Sequence, residues 1–328
     1  MKKIYILLLA VLCAVSSINA QVTVTATAGT PGPTAYTNLS SAFTAINAGT
    51  HQGDVTVSIS ASFTDAAVSV LNSSGAGAAS YTSVLVRPTA DGVVMSFATA
   101  TGRGVIELNG ADNVTIDGDN PNTGGTNRNL TITNTAANTI TFTSCIRLAT
   151  STLITSCNND IIRNCNLNGS GTGRNIVAAT SEIAAWGIVA SAGASTVAAT
   201  TAPSALTSAT TTMASGQTVT NLTIDNNNIQ TSSRGIAVNG AAATVAVGLL
   251  VTNNVVGNAT AAATDQVTGI GITVQGTNNG IVRGNTVRVE GYVQASAVNK
   301  GIDVGTISTT GLTNVTIEKN IVERVINN

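Results

Sequence analysis

The sequence predicts an all-β chain wound as a parallel solenoid, and three observations carry that expectation. Charged residues make up only 9% of the 328 residues, against 43% hydrophobic and 3% aromatic; about 25% charge is usual in a soluble domain. Short β-branched runs alternate with Gly and Asn turns along the whole chain. One short pattern also returns at intervals of 62, 27, 31 and 35 residues, the irregular period of a stacked repeat. Disorder is a poor alternative, because it pairs low hydrophobicity with high net charge, and here mean hydropathy is +0.30 and net charge −1. That balance also gives no basic footprint for nucleic acid.

The chain opens with "MKKIYILLLAVLCAVSSINAQ". Lys2 and Lys3 precede an apolar stretch from Ile4 to Val15, followed by small polar residues, the pattern of a secretory signal peptide. A membrane span needs about 20 apolar residues, more than this stretch supplies. Cleavage is expected after Ala20, although Ile18 is bulky for its place. Leu12 before Cys13 argues against lipoprotein processing. Residues 1–20 are therefore read as leader and residues 21–328 as an exported β-solenoid. No later segment is long and apolar enough for a transmembrane anchor.

"TNLSSAFTAINAG" (37–49) reads as a short amphipathic helix. Leu39, Phe43 and Ile46 share a face, Asn38 or Ser40 caps the start, and Gly49 ends it. Such a helix would cover the open N-terminal edge of the solenoid, which would otherwise invite aggregation.

The repeat itself is an apolar anchor, two variable residues, Asn, one variable residue and an apolar closer. It runs through "DIIRNCNL" (160–167), "LTIDNNNI" (222–229), "LLVTNNVV" (249–256), "GIVRGNTV" (280–287) and "VTIEKNIV" (315–322). The anchors are Ile162, Ile224, Val251, Val282 and Ile317, all expected to be buried in one parallel sheet. Asn follows three residues later at Asn227, Asn254, Asn285 and Asn320, with Cys165 as the exception. These asparagines are expected to adopt the left-handed conformation that bends the chain and to bond along the stack. Asn258 lies outside the pattern and is expected to matter little to stability. A second motif alternates with the first: "WGIVA" at 186, "RGIAV" at 234, "IGITV" at 270 and "KGIDV" at 300. The Ala/Ser/Thr run at 190–216 is expected to leave the coil as an exposed loop or hairpin. The chain stops in the rhythm of a new coil, which reads as a sequence incomplete at its C-terminus.

The alternating "GIxV" and "[IV]xxNx[IVL]" motifs, the "NVTIDG" at 113–118 and the helical opening segment resemble the right-handed parallel β-helix of the pectin-lyase-like superfamily. The resemblance covers roughly residues 36–328 and speaks to fold far more than to function. In style the chain is also similar to exported surface proteins of the Bacteroidetes, which often carry more repeats and a C-terminal sorting domain.

Within that superfamily, catalysis implies calcium-binding acids with an Arg base, or three Asp with a His and an Arg–Lys pair. This chain has one histidine, His51, and none of the matching motifs, so no catalytic residue is assigned. "DGD" offers Asp117 and Asp119 as weak candidates for calcium, more naturally read as a turn. The residues after the anchors, Arg163, Asp225, Thr252, Arg283 and Glu318, should point outward, with Arg283 and Glu318 as surface neighbours. Trp186 is the single tryptophan, leaving little for aromatic sugar platforms. Cys145, Cys157 and Cys165 lack zinc spacing and read as buried apolar residues, a Cys157–Cys165 bridge being the alternative. The reading is an exported, non-catalytic surface or adhesive module in contact with polysaccharide or cell-surface components, without a cofactor. A divergent polysaccharide lyase or glycoside hydrolase is the alternative.

Overall fold

The computed structural model describes residues 20–327, except 138, 151–155, 171–175, 178–180, 183–184, 193–199, 201, 214–216, 242–244, 261–264, 292–298 and 306–310. The leader expected at residues 1–20 lies, apart from Ala20, outside the described residues. Short β-branched strands cannot each bury a face alone, and here they do so by stacking. Three long sheets, of ten, eight and seven strands, run side by side along a parallel β-solenoid. We call them sheets A, B and C.

Sheet A begins with an antiparallel hairpin, Val22–Gly29 paired with Thr34–Tyr36, and is parallel from His51–Ile59 onward. It then climbs through Tyr81–Pro88, Val114–Asp117, Ile161–Arg163, Thr223–Asp225, Leu250–Thr252 and Ile281–Arg283 to Thr316–Glu318. In register, Ile116, Ile162, Ile224, Val251, Val282 and Ile317 form one column. All but the last are fully buried, each contributing roughly 1.5–3 kcal/mol of apolar burial. Ile317 departs from the expectation: it is 50% exposed, on a strand that pairs on one side only among the described residues.

Sheet B carries the closers Leu167, Ile229, Val256 and Val287 in register and buried. Sheet C carries the "GIxV" motif, stacking Ile106, Ile146, Ile188, Ile236, Ile272 and Ile302.

The helix α1 (Leu39–Asn47) forms where its apolar face requires. The Asn38 side chain accepts from the Ser41 N–H at 3.0 Å, and Leu39, Phe43 and Ile46 are buried. Its last residue meets the first strand of sheet C, Ser69–Asn72. The Asn47 amide donates to the Val70 carbonyl at 2.8 Å and accepts the Asn72 N–H at 2.9 Å.

The segment 190–216 is not the free loop expected from its composition. Residues 190–192 complete the buried strand Ala185–Ala192. Of the rest, the described stretch 202–213 lies against the outer face of sheet C. Leu206 and Ala209 pack with Trp186, Val189 and Ala237, and Met213 is buried in the main core. The Arg147 guanidinium, fully buried, holds the stretch by donating to the Ser204 carbonyl at 2.8 Å. Burying Leu206 and Met213 contributes roughly 1.5–3 kcal/mol each.

A candidate polar cleft at the asparagine bend

The bend between sheets A and B is built from two residues with separate tasks. The ladder asparagines do not take the left-handed conformation expected of them. That falls to the residue just before, at Asn164, Asn226, Asn253, Gly284 and Lys319, whose φ lies between 52° and 67°. With the turn made one residue earlier, the next side chain points inward. Asn227, Asn254 and Asn285 are wholly buried. The side-chain carbonyls of Asn254, Asn285 and Asn320 each accept two N–H groups from the coil before: Asn227 donates its backbone and amide N–H to Asn254 Oδ1, both at 3.0 Å. Asn254 does the same to Asn285, and Asn285 to Asn320. Each amide also donates at 2.9 Å to the anchor carbonyl below, from Ile162 to Val282. Cys165 starts the stack by donating its N–H to Asn227 Oδ1. The backbone N–H and both side-chain polar atoms of Asn227, Asn254 and Asn285 are thereby satisfied within a buried bend.

The left-handed residues face outward and shape the surface. Asn226 donates to Asn164 Oδ1 at 2.8 Å, and Asn253 donates to Asp225 Oδ1 at 2.9 Å. Beside them the outward column of sheet A runs Asp117, Arg163, Asp225, Thr252, Arg283 and Glu318 in strict register. A loop from Gly118 to Asn129 forms the wall. It leaves sheet A by passing so close to the bend that a Cβ on Gly118 would sit 1.9 Å from the Asn164 carbonyl oxygen. It is pinned by Arg128, whose guanidinium donates to the Asn226 carbonyl and side-chain oxygen at 2.7 and 2.6 Å. Together these residues enclose an open cleft of about 520 Å³, lined by Asp117, Asp119, Thr126, Arg163, Asn164, Asp225, Asn226 and Asn253.

The carboxylates expected as weak calcium candidates already have protein partners. Asp117 Oδ2 takes Arg163 Nε at 2.9 Å and Nη2 at 2.8 Å, and Oδ1 takes the Asn164 amide at 2.7 Å and the Asp119 N–H at 3.1 Å. Asp119 Oδ1 accepts the Asn127 N–H at 2.7 Å. Calcium needs six to eight oxygens, and here a guanidinium already occupies the better carboxylate. Asp117 ends a strand of sheet A and Asp119 lies in the wall loop, and both line the cleft. Among the described residues no group of three or more His, Cys, Asp or Glu gathers. Further along, Arg283 and Glu318 pair at 2.6 Å with both side chains well exposed, a contact worth about 0–1 kcal/mol.

Away from the cleft, Cys145, Cys157 and Cys165 are free and fully buried. Burial pushes the Cys145 thiol up to about 12 and raises the other two as well. The Cys157–Cys165 bridge is absent because the two side chains stack in different columns, Cys157 over Val219 and Cys165 beside Leu130.

Sequence reasoning found the outward column and the ladder positions. It missed the cleft wall, Arg128 and the outer asparagines, although the doubled Asn at 226–227 and 253–254 was a usable sign that one Asn turns and the next one bonds.

No protein-family model matches the sequence, and no curated protein matches it. Among solved structures, the crystal structure of the Dettilon tailspike protein is similar over 93% of this chain at 14% identity, with a TM-score of 0.44. The chain spans 49% of that protein's length.

Proposed function

We propose that the protein is an exported, non-catalytic β-solenoid that contacts carbohydrate through the cleft at the asparagine bend. One observation carries the reading: an open surface cleft is lined by carboxylate, carboxamide, hydroxyl and guanidinium groups, with scarcely an apolar side chain among them. Asn presents a donor and an acceptor side by side, and ionised Asp accepts at two oxygens, the complement of neighbouring sugar hydroxyls. The leader-like opening supports export, and the pectin-lyase-like motifs agree with a glycan-facing solenoid. The non-catalytic part rests on Asp117 and Asp225, whose cleft-facing carboxylates already hold Arg163 and Asn164, or Thr252 and Asn253. Acid–base cleavage of a glycoside needs two carboxyl groups free to exchange protons.

Binding and turnover should be measured on a panel of neutral and uronate polysaccharides, with and without calcium. The expected result is saturable binding without product, weakened at least about tenfold by Asp225→Ala through loss of a charged hydrogen-bond acceptor. Product release would shift the assignment to a divergent lyase or hydrolase. No binding to any member of the panel would remove the carbohydrate reading.

A further inference from the structure

Sheet B lies between two clefts. The first, at the asparagine bend, takes in Asn164 and Asn226. The second opens where sheet B turns toward sheet C. It is an open cleft of about 390 Å³, lined in part by Thr133, Thr135, Asn168, Gln230, Thr231 and Asp265. The two clefts share a pair of coils, with Asn164 and Asn168 on one and Asn226 and Gln230 on the next. Four residues of strand cover about 13 Å, so a single sugar ring cannot reach both.

The strip between the clefts is polar and uncharged. Ile132, Leu167 and Ile229 point into the core. Alternation then turns Thr131, Asn166 and Asn228 outward in one column and Thr133, Asn168 and Gln230 in the next. All of these outward side chains are only partly buried. The Asn228 amide donates to Asn166 Oδ1 at 3.3 Å, and the Asn166 amide donates to the Arg128 carbonyl at 2.9 Å. The strip is thereby tied to the residue that pins the wall of the first cleft.

The second cleft is also held in shape. Both carboxylate oxygens of Asp265 accept the Asn258 amide, at 2.8 and 2.7 Å, and its carbonyl accepts the Thr231 N–H at 3.0 Å. Thr231 has a φ of 55°, a left-handed conformation rare for a β-branched residue and of the kind retained at ligand sites. Charge then selects the ligand. The first cleft sets Asp117, Asp119 and Asp225 against Arg163, and the second has Asp265 with no Lys or Arg in its lining. A polyanion would meet like charge at both ends, whereas the amides and hydroxyls between them suit uncharged hydroxyl groups.

We propose that the second cleft is a further subsite for one uncharged polysaccharide chain, which lies along the strands of sheet B from the Asp225 cleft to the Asp265 cleft. The inference rests on the carbohydrate reading above and narrows it to neutral chains long enough to span both clefts. No aromatic ring lines either cleft. Hydrogen bonds of small individual worth therefore carry the affinity, and binding grows with chain length.

The full chain would be titrated calorimetrically with cello-, xylo- and manno-oligosaccharides, each as disaccharide and hexasaccharide, and with hexagalacturonate. At least one neutral hexasaccharide should bind at least about tenfold tighter than its disaccharide, and tighter than hexagalacturonate. Asn168→Ala combined with Gln230→Ala should remove that advantage of length, and Asp225→Ala should do the same. Thr133→Val, which keeps the shape of a strand residue, should weaken the hexasaccharide about threefold and repeats the test with minimal disturbance of the fold. Three results would each overturn the second subsite: equal affinity for both lengths, tighter binding of hexagalacturonate, or parental affinity in both the double variant and Thr133→Val. The carbohydrate reading would then still stand on the loss caused by Asp225→Ala. Binding of no oligosaccharide would also overturn the subsite, and only if the polysaccharide panel failed as well would the carbohydrate reading fall with it.

Discussion

Asn254 shows how much rests on single side chains in this fold. Its carbonyl takes two donors and its amide reaches the Ile224 carbonyl, and the side chain is fully buried. Asn254→Ala leaves those donors buried and unpaired, and should cost about 1–3 kcal/mol in denaturant melts. Asn258, outside the repeat, is not the inert comparison that its position implied, for it bonds both oxygens of Asp265 at 2.8 and 2.7 Å. Asn122, exposed and bonded to one backbone carbonyl, serves better; Asn122→Ala should cost under about 0.5 kcal/mol. Asp160 presents the opposite problem. It sits in the buried interior with Oδ1 on the Val114 N–H and Oδ2 without a partner. Burial first, and nearby Asp112 second, hold its carboxyl well above the ordinary carboxylate range. The folded form thus prefers the proton, so stability is fullest below about pH 4 and falls as pH rises toward the folded value. Asp160→Asn keeps the bond from Val114 and should remove that fall. Melts at pH 4 and pH 8 should show the variant gaining on the parent at the higher pH.

At the scale of elements, two short pieces pack onto the solenoid, one at its first coil and one on the outer face of sheet C. The helix α1 depends on its cap and on Asn47, which satisfies both backbone groups of a sheet edge. Asn38→Ala should cost about 1 kcal/mol, measured by thermal or denaturant unfolding. The stretch 202–213 depends on Arg147 and on Leu206, which is 2% exposed. Leu206→Ala should cost about 2–5 kcal/mol if the stretch unfolds with the coils. A smaller loss with early proteolytic cleavage between 202 and 213 would mean that it opens on its own. Composition hid this packing. Ala, Ser and Thr fill most of the segment, and the few residues that anchor it carry no periodicity. Their partners Trp186 and Arg147 come from strands that only the winding of the chain brings beneath them.

Over the whole molecule, a column of like residues makes position along the stack the deciding variable. Ile224 and Ile317 are in one register, yet one is buried between coils and the other is half exposed. Ile224→Ala should cost about 2–5 kcal/mol, and Ile317→Ala less than half of that by the same melts. The sequence by itself determined the parallel solenoid, the capping helix, the inward columns and the positions of the ladder, because a period in sequence becomes a stack whenever each repeat must share its apolar face with the next. It did not determine which asparagine of each pair turns and which one bonds, since both residue types suit either task and the choice follows from where the left-handed residue falls. The polar cleft, the clamp of Arg128 on Asn226 and the seat of residues 202–213 were decided only by tertiary structure. Their partners are 98 residues apart in the case of Arg128 and Asn226, and nothing local to either one specifies a contact across two coils.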